Sequence, residues 1–197
     1  MVFVLIGWRD PVSLRRFVLV THRWLGIAMA VPLFVVCASG AAIVWPDVFP
    51  LRKFLGSVHE DFALRMVGMA SVGRWIVVAT TVLAVVLVLG GIFLWWKRKS
   101  VSVRLDLGFK RTMFDLHNAL GVIGFLMMLL LSVTGVGMAF TTPEDGELRR
   151  VIFDLHTTRG YLIVIKVVYT LASTVFAVQC ATGVLSWWKP RRAIPKS

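Results

Sequence analysis

The nineteen residues HRWLGIAMAVPLFVVCASG, His22 to Gly40, can be laid without a gap over HNALGVIGFLMMLLLSVTG, His117 to Gly135. His22, Leu25, Gly26, Ser39 and Gly40 recur as His117, Leu120, Gly121, Thr134 and Gly135. Both stretches are apolar over most of their length, and a bilayer core is crossed by about 20 such residues at about 1.5 Å rise each. Two copies separated by an even number of spans imply one membrane unit repeated in parallel.

Outward from these stretches, four apolar runs are long enough to span: Phe17 to Trp45, Trp75 to Trp96, Leu116 to Phe140, and Gly160 to Trp188. The second and fourth end alike, in Gly91 to Trp95-Trp96-Lys97 and in Gly183 to Trp187-Trp188-Lys189. The Trp-Trp-Lys ends read as interfacial anchors. With 58% hydrophobic and 16% charged residues in 197, too little polar surface remains to coat a soluble globule. The expected fold is an all-α membrane protein, a four-transmembrane-helix bundle. It is made of two repeated two-helix units, about 14–100 and about 109–192, within a single membrane domain covering 1–197. The connectors are too short for a nucleotide- or flavin-binding domain. Val2 to Ile6 is apolar, but Trp8, Arg9, Asp10 and Pro11 follow with no small-residue cleavage site, so no cleaved signal is read there.

The net charge of +12 sits beside the spans rather than along a polar face, which excludes nucleic acid as the partner and points to membrane orientation. The N-terminal segment, the middle loop and the tail carry 14 Lys and Arg, against 7 in the other two loops, where seven acids balance them. Both termini are therefore expected in the cytoplasm. Cys37 and Cys180 fall in the first and last spans, nearer opposite faces, and read as small packing residues rather than a disulfide.

The chain has four histidines. A single histidine near a helix end is commonly structural, but here one accompanies each span and each has a counterpart in the other half. His22 and His117 lie at the cytoplasmic ends of spans one and three, and His59 and His156 precede spans two and four on the outer side. Two opposed pairs at two depths match what two bis-histidine haems require. Gly26 and Gly121, four residues beyond His22 and His117, share their helix face and leave room for a flat macrocycle. Gly40 and Gly135, eighteen residues beyond, return to that face after five turns, about 27 Å along the axis. His156 and Gly183 fall on opposite faces of an ideal helix, so Gly183 reads as a packing residue. Zinc fits less well, because the histidines are dispersed and Glu60, Asp115 and Asp154 lie at the rim. No C-x-x-C-H stretch exists for covalent attachment, which leaves non-covalent haem b, two per chain. Arg23 and Arg111 inside, and Arg74, Arg159 and Lys166 outside, are candidate partners for propionates, snorkelling being the alternative. Lys166 stands out, six residues into an apolar run where a charge is costly.

His22-Arg23-Trp24-Leu25-Gly26, His59-Glu60, Gly73-Arg74-Trp75, Thr134-Gly135 and the two Trp-Trp-Lys ends resemble the PepSY-associated transmembrane helix family of bacterial iron-regulated inner-membrane proteins. The resemblance implies a multi-pass, cytochrome-like haem protein that moves electrons across the inner membrane, with His22, His59, His117 and His156 as ligands. Some such relatives reduce ferric siderophores. Larger members carry periplasmic PepSY domains between spans, whereas Pro46 to Val58 is a short connector here, which points to delivery of electrons to a separate partner.

The leading expectation is a di-haem b-type cytochrome, an oxidoreductase of the ferric- or siderophore-reductase kind. It would take electrons from a quinol or a cytoplasmic reductase and pass them to a periplasmic acceptor, ferric iron foremost. A haem-bearing membrane anchor for a soluble oxidoreductase is the first alternative. A non-redox transporter or assembly factor, with Lys166 on a polar path, is the second.

Overall fold

The computed structural model describes residues 11–45, 51–97, 99, 101–158 and 162–187. These form α1 (Pro11–Ile43), α2 (Arg52–Asp61), α3 (Ala70–Trp96), α4 (Phe109–Phe140), α5 (Gly146–Thr157) and α6 (Ile163–Trp187). Short 3-10 turns at Leu64–Val67 and Pro143–Asp145 complete the connectors. Among the described residues no strand occurs. α1, α3, α4 and α6 are long and apolar enough to cross a membrane, as the four runs in the sequence required. Arg159, Gly160, Trp188 and Lys189 lie outside the described residues, as do Arg9, Pro46, Arg98, Arg191, Arg192 and Lys196.

Small side chains hold the four long helices together. Ala30, Ala84, Ala119, Ala177, Ser39, Thr80, Ser132, Thr134 and Thr182 are buried, whereas Phe17, Val31, Leu89, Ile123, Leu126 and Leu171 face outward. That inversion of the soluble pattern is what lipid as solvent produces: apolar bulk gains nothing by leaving it, and helices associate where their backbones approach closely. Ser39 Oγ donates to the Val35 carbonyl at 2.7 Å, Thr134 Oγ1 to Leu130 at 2.7 Å and Thr182 Oγ1 to Val178 at 2.9 Å, each within its own helix. α6 and α3 each pack against both α1 and α4, and among the described residues the α1 and α4 backbones are not in contact. The two are thus diagonal across the bundle, and the space between them is where the site lies.

The connectors differ from the sequence reading. The segment ending at Val58, taken as a plain connector, enters α2, which packs on α1 and α3, and α5 correspondingly packs on α4. His59 and His156 therefore ride on separate short helices rather than on the entries to spans two and four. α2 ends in two left-handed residues, Phe62 and Ala63, whose N–H groups close on the Val58 and Ser57 carbonyls. Its last residue, Asp61, is buried, accepting from Ser57 Oγ at 3.1 Å and from Arg65 Nε at 2.5 Å. The start of α3 closes over it: a Cβ on Gly73 would stand 2.1 Å from the Asp61 carbonyl oxygen. Backbone cannot yield there as a flexible side chain would, so glycine is required at 73.

Gly73→Ala is expected to cost about 1–3 kcal/mol by overpacking. Gly56→Ala, on an open face of α2 with nothing within 4 Å, should be neutral or stabilising. Thermal unfolding of the two variants in detergent measures the difference.

Candidate functional site: two histidine pairs on bare helix backbone

The four histidines meet in two pairs. The ring centres of His22 and His117 are 6.3 Å apart with the planes at 71°, and those of His59 and His156 are 6.1 Å apart at 39°. The first pair joins the spanning helices α1 and α4, and the second joins the connector helices α2 and α5. The pairing matches the one expected from the sequence.

Each ring lies on a glycine of a neighbouring helix. A Cβ added at Gly91 would stand 3.3 Å from His22 Cε1, at Gly40 3.0 Å from His59 Cε1, at Gly183 3.0 Å from His117 Cε1, and at Gly135 3.2 Å from His156 Cε1. The missing side chain lets the imidazole settle onto the helix, facing the carbonyl four residues before the glycine. His59 Nδ1 donates to the Val36 carbonyl at 2.8 Å, and His117 Nδ1 to Gln179 at 3.1 Å. His156 Nδ1 donates to Thr134 Oγ1 at 3.0 Å, with the Leu131 carbonyl beside it. Because a carbonyl can only accept, the proton of a bonded ring sits on Nδ1 and the lone pair on Nε2. His22 Nδ1 is buried facing the Leu87 carbonyl of α3, outside hydrogen-bond geometry.

This geometry changes the roles of the glycines. Gly40 and Gly135, read as openings toward a macrocycle, are filled by the His59 and His156 rings. Gly183, read as packing, seats His117; the helical-phase comparison with His156 does not apply, since the two residues lie on different helices. Gly26 does remain open, its nearest neighbour being Leu87 Cδ2 at 3.8 Å, whereas at Gly121 a Cβ would meet Gln179 Nε2 at 2.7 Å. The recurrence of Gly91 and Gly183 four residues before a tryptophan was the available signal for the two seats that sequence reasoning missed.

Two clefts surround the pairs. One of about 800 Å³ holds His22 and His117, with Arg15, Arg16, Arg23 and Lys97 among its walls. The other, about 1550 Å³, holds His59 and His156, with Arg52, Lys53, Arg74, Arg149 and Lys166. Leu33, Ala84 and Phe176 wall both. Burial lowers the pKa of His59 below the ordinary imidazole value. Burial, and then the His59 ring opposite, bring His156 down to about 4. Both rings are neutral near pH 7, the state in which imidazole ligates a metal.

The expected basic partners are unevenly placed. Arg23 lines the narrower cleft with its guanidinium 4.9 Å from the Trp187 ring centre. Arg74 lines the wider one and donates to the Ala139 carbonyl at the end of α4, 2.9 Å. Lys166 also lines the wider cleft; α6 is described from Ile163, so the lysine stands in its first turn rather than deep in a span. Arg111 is held elsewhere, 3.0 Å from the buried Asp115 carboxylate that Arg104 also reaches at 3.1 Å. Arg159 is outside the described residues. Cys37 and Cys180 are free thiols, one on the wall of each cleft. Among the described residues no group of three or more His, Cys, Asp or Glu converges.

Long apolar helices, lipid-facing bulk and buried small residues define a multi-pass helical membrane protein. A family model described as the PepSY-associated TM region matches residues 47–150, more than half of the chain, which belongs to that family. The matched stretch includes His59 and His117. No curated protein and no solved structure matches the chain.

Asp115→Asn should release both Arg104 and Arg111, costing about 1–3 kcal/mol for the lost charge-assisted bonds. Amide hydrogen exchange over residues 101–112 is expected to quicken while that of α6 stays unchanged.

Proposed function

We propose that the protein is a di-haem b-type cytochrome that carries electrons from one face of a bacterial inner membrane to the other. The separation of the paired rings carries the proposal. A metal–imidazole bond is about 2.0–2.1 Å and the ligating nitrogen stands about 1.1 Å from its ring centre, so two rings on opposite sides of one ion have centres about 6.3 Å apart. The pairs stand at 6.3 and 6.1 Å. Two imidazoles are too few for a tetrahedral zinc site but complete an iron whose other four positions a macrocycle fills. Each bound haem would supply one-electron exchange at an iron with no open position, which favours outer-sphere transfer over oxygen chemistry.

The chain's own residues do the rest. Gly40, Gly91, Gly135 and Gly183 fix where the rings sit, and the helical carbonyls beneath the bonded ones fix which nitrogen is free. The guanidinium and ammonium groups on the cleft walls balance propionate charge that lipid alone would not tolerate. His22 to Gly40 spans eighteen residues, so the two pairs lie about 27 Å apart along α1. Leu33, Ala84 and Phe176, common to both clefts, stand between them.

With both termini in the cytoplasm, as the Lys and Arg distribution favours, the α1/α4 pair faces the donor, a quinol or a cytoplasmic reductase. The α2/α5 pair then faces the periplasm. The wider cleft, rimmed by basic side chains, suits an anionic acceptor such as a ferric chelate, or a separate periplasmic partner.

His156→Ala is expected to bind one haem where the parent binds two, with the remaining haem still reduced by dithionite. In vesicles loaded with ferricyanide and given dithionite outside, the parent should bleach the interior dye and the variant should not. Full bleaching by the variant would sink the two-haem route. Gly183→Ala, which crowds His117, should lower haem content.

A further inference from the structure

The residue immediately before each seating glycine is Ser39 on α1, Thr134 on α4 and Thr182 on α6, but Gly90 on α3. The three hydroxyls donate to the carbonyl that the neighbouring imidazole faces: Ser39 Oγ to Val36 at 3.0 Å, Thr134 Oγ1 to Leu131 at 3.3 Å and Thr182 Oγ1 to Gln179 at 3.2 Å. Two of these oxygens also stand against the ring itself, Thr134 Oγ1 at 3.0 Å from His156 Nδ1 and Ser39 Oγ at 3.4 Å from His59 Nδ1. On α3 the hydroxyl is missing. The facing ring nitrogen, His22 Nδ1, is the imidazole nitrogen left buried without a partner among the described residues. A Cβ on Gly90 would stand 3.5 Å from that nitrogen and 3.7 Å from Val18 Cγ1, ordinary contact distances, so space alone does not demand glycine there.

We infer that Gly90 is a tuning position: it leaves His22 without the hydroxyl that stands against His59 and His156, and so raises the reduction potential of the haem held by His22 and His117. The inference rests on the haem reading of the pairs. A hydrogen bond from Nδ1–H gives the ring imidazolate character and makes Nε2 the stronger donor, which favours ferric over ferrous iron. Without that bond at one of the two ligating rings, the balance would move toward ferrous iron. His117 keeps its bond to Gln179, so the two ligands of this haem are inequivalent. Gly90 thus acts through His22 as a positioning residue, without touching the haem.

The test is an optical redox titration of the purified full chain, with haem content measured alongside. Gly90→Ser places a hydroxyl where Ser39 and Thr134 have theirs, and should lower one of the two midpoint potentials while leaving the other in place. Gly90→Ala adds the carbon without the oxygen and should leave both where they are. Thr134→Val removes an acceptor from His156 and should raise the midpoint that Gly90→Ser does not move. Equal shifts in Gly90→Ser and Gly90→Ala would assign the effect to packing and overturn the inference, as would unchanged midpoints with both haems bound. Should Gly90→Ser lose its haem, Thr134→Val decides: no shift overturns the inference. A folded parent without haem overturns the haem reading and this inference with it.

Discussion

A buried imidazole is held in place through one nitrogen while the other is left free, as three of the four rings are here, and in a lipid-embedded bundle polar side chains are scarce. Here the helix backbone serves. A glycine removes the Cβ that would hold the ring off, and the ring comes to rest facing the carbonyl four residues earlier. Four glycines in four pairings of helices produce the same contact: α1 with α3, α1 with α2, α4 with α6 and α4 with α5 each supply one ring and one seat. The packing of the bundle follows from it. α1 and α4 must be close enough for their histidines to meet yet far enough apart to leave a cleft, and α3 and α6 hold them at that separation.

The same contact accounts for small residues outnumbering large ones in the interior. Where a ring must lie on a backbone, bulk on either side would lift it, so serine, threonine and alanine surround the seats and the large apolar side chains turn to lipid. The Ser39, Thr134 and Thr182 hydroxyls are satisfied in this setting, because each bonds to its own helix. A soluble bundle of this size would place leucine and phenylalanine at those positions and would have no room for the clefts.

Much of the arrangement could be read from residue order alone. The four spans and the pairing of His22 with His117 and of His59 with His156 were legible because length, hydropathy and the repeated spacing act along the chain. α2 and α5 were not, since a ten- or twelve-residue polar helix docked on the end of a span has no strong periodic signature. Gly183 was misjudged for a related reason: its phase was measured against His156 as though one helix carried both, whereas its ring comes from α4. Arg111, a candidate partner for a propionate, is instead held by a buried carboxylate one turn away, Asp115. Contacts between helices, as opposed to along them, are what a single sequence leaves unstated.

Electron paramagnetic resonance of the oxidised, detergent-purified protein tests the paired-histidine account most directly. Two low-spin ferric signals are expected, each integrating to one spin per chain. The two should be distinct, because the ring planes cross at 71° in one pair and 39° in the other. A high-spin ferric signal at full haem loading, or a folded and colourless protein with no signal, would contradict it.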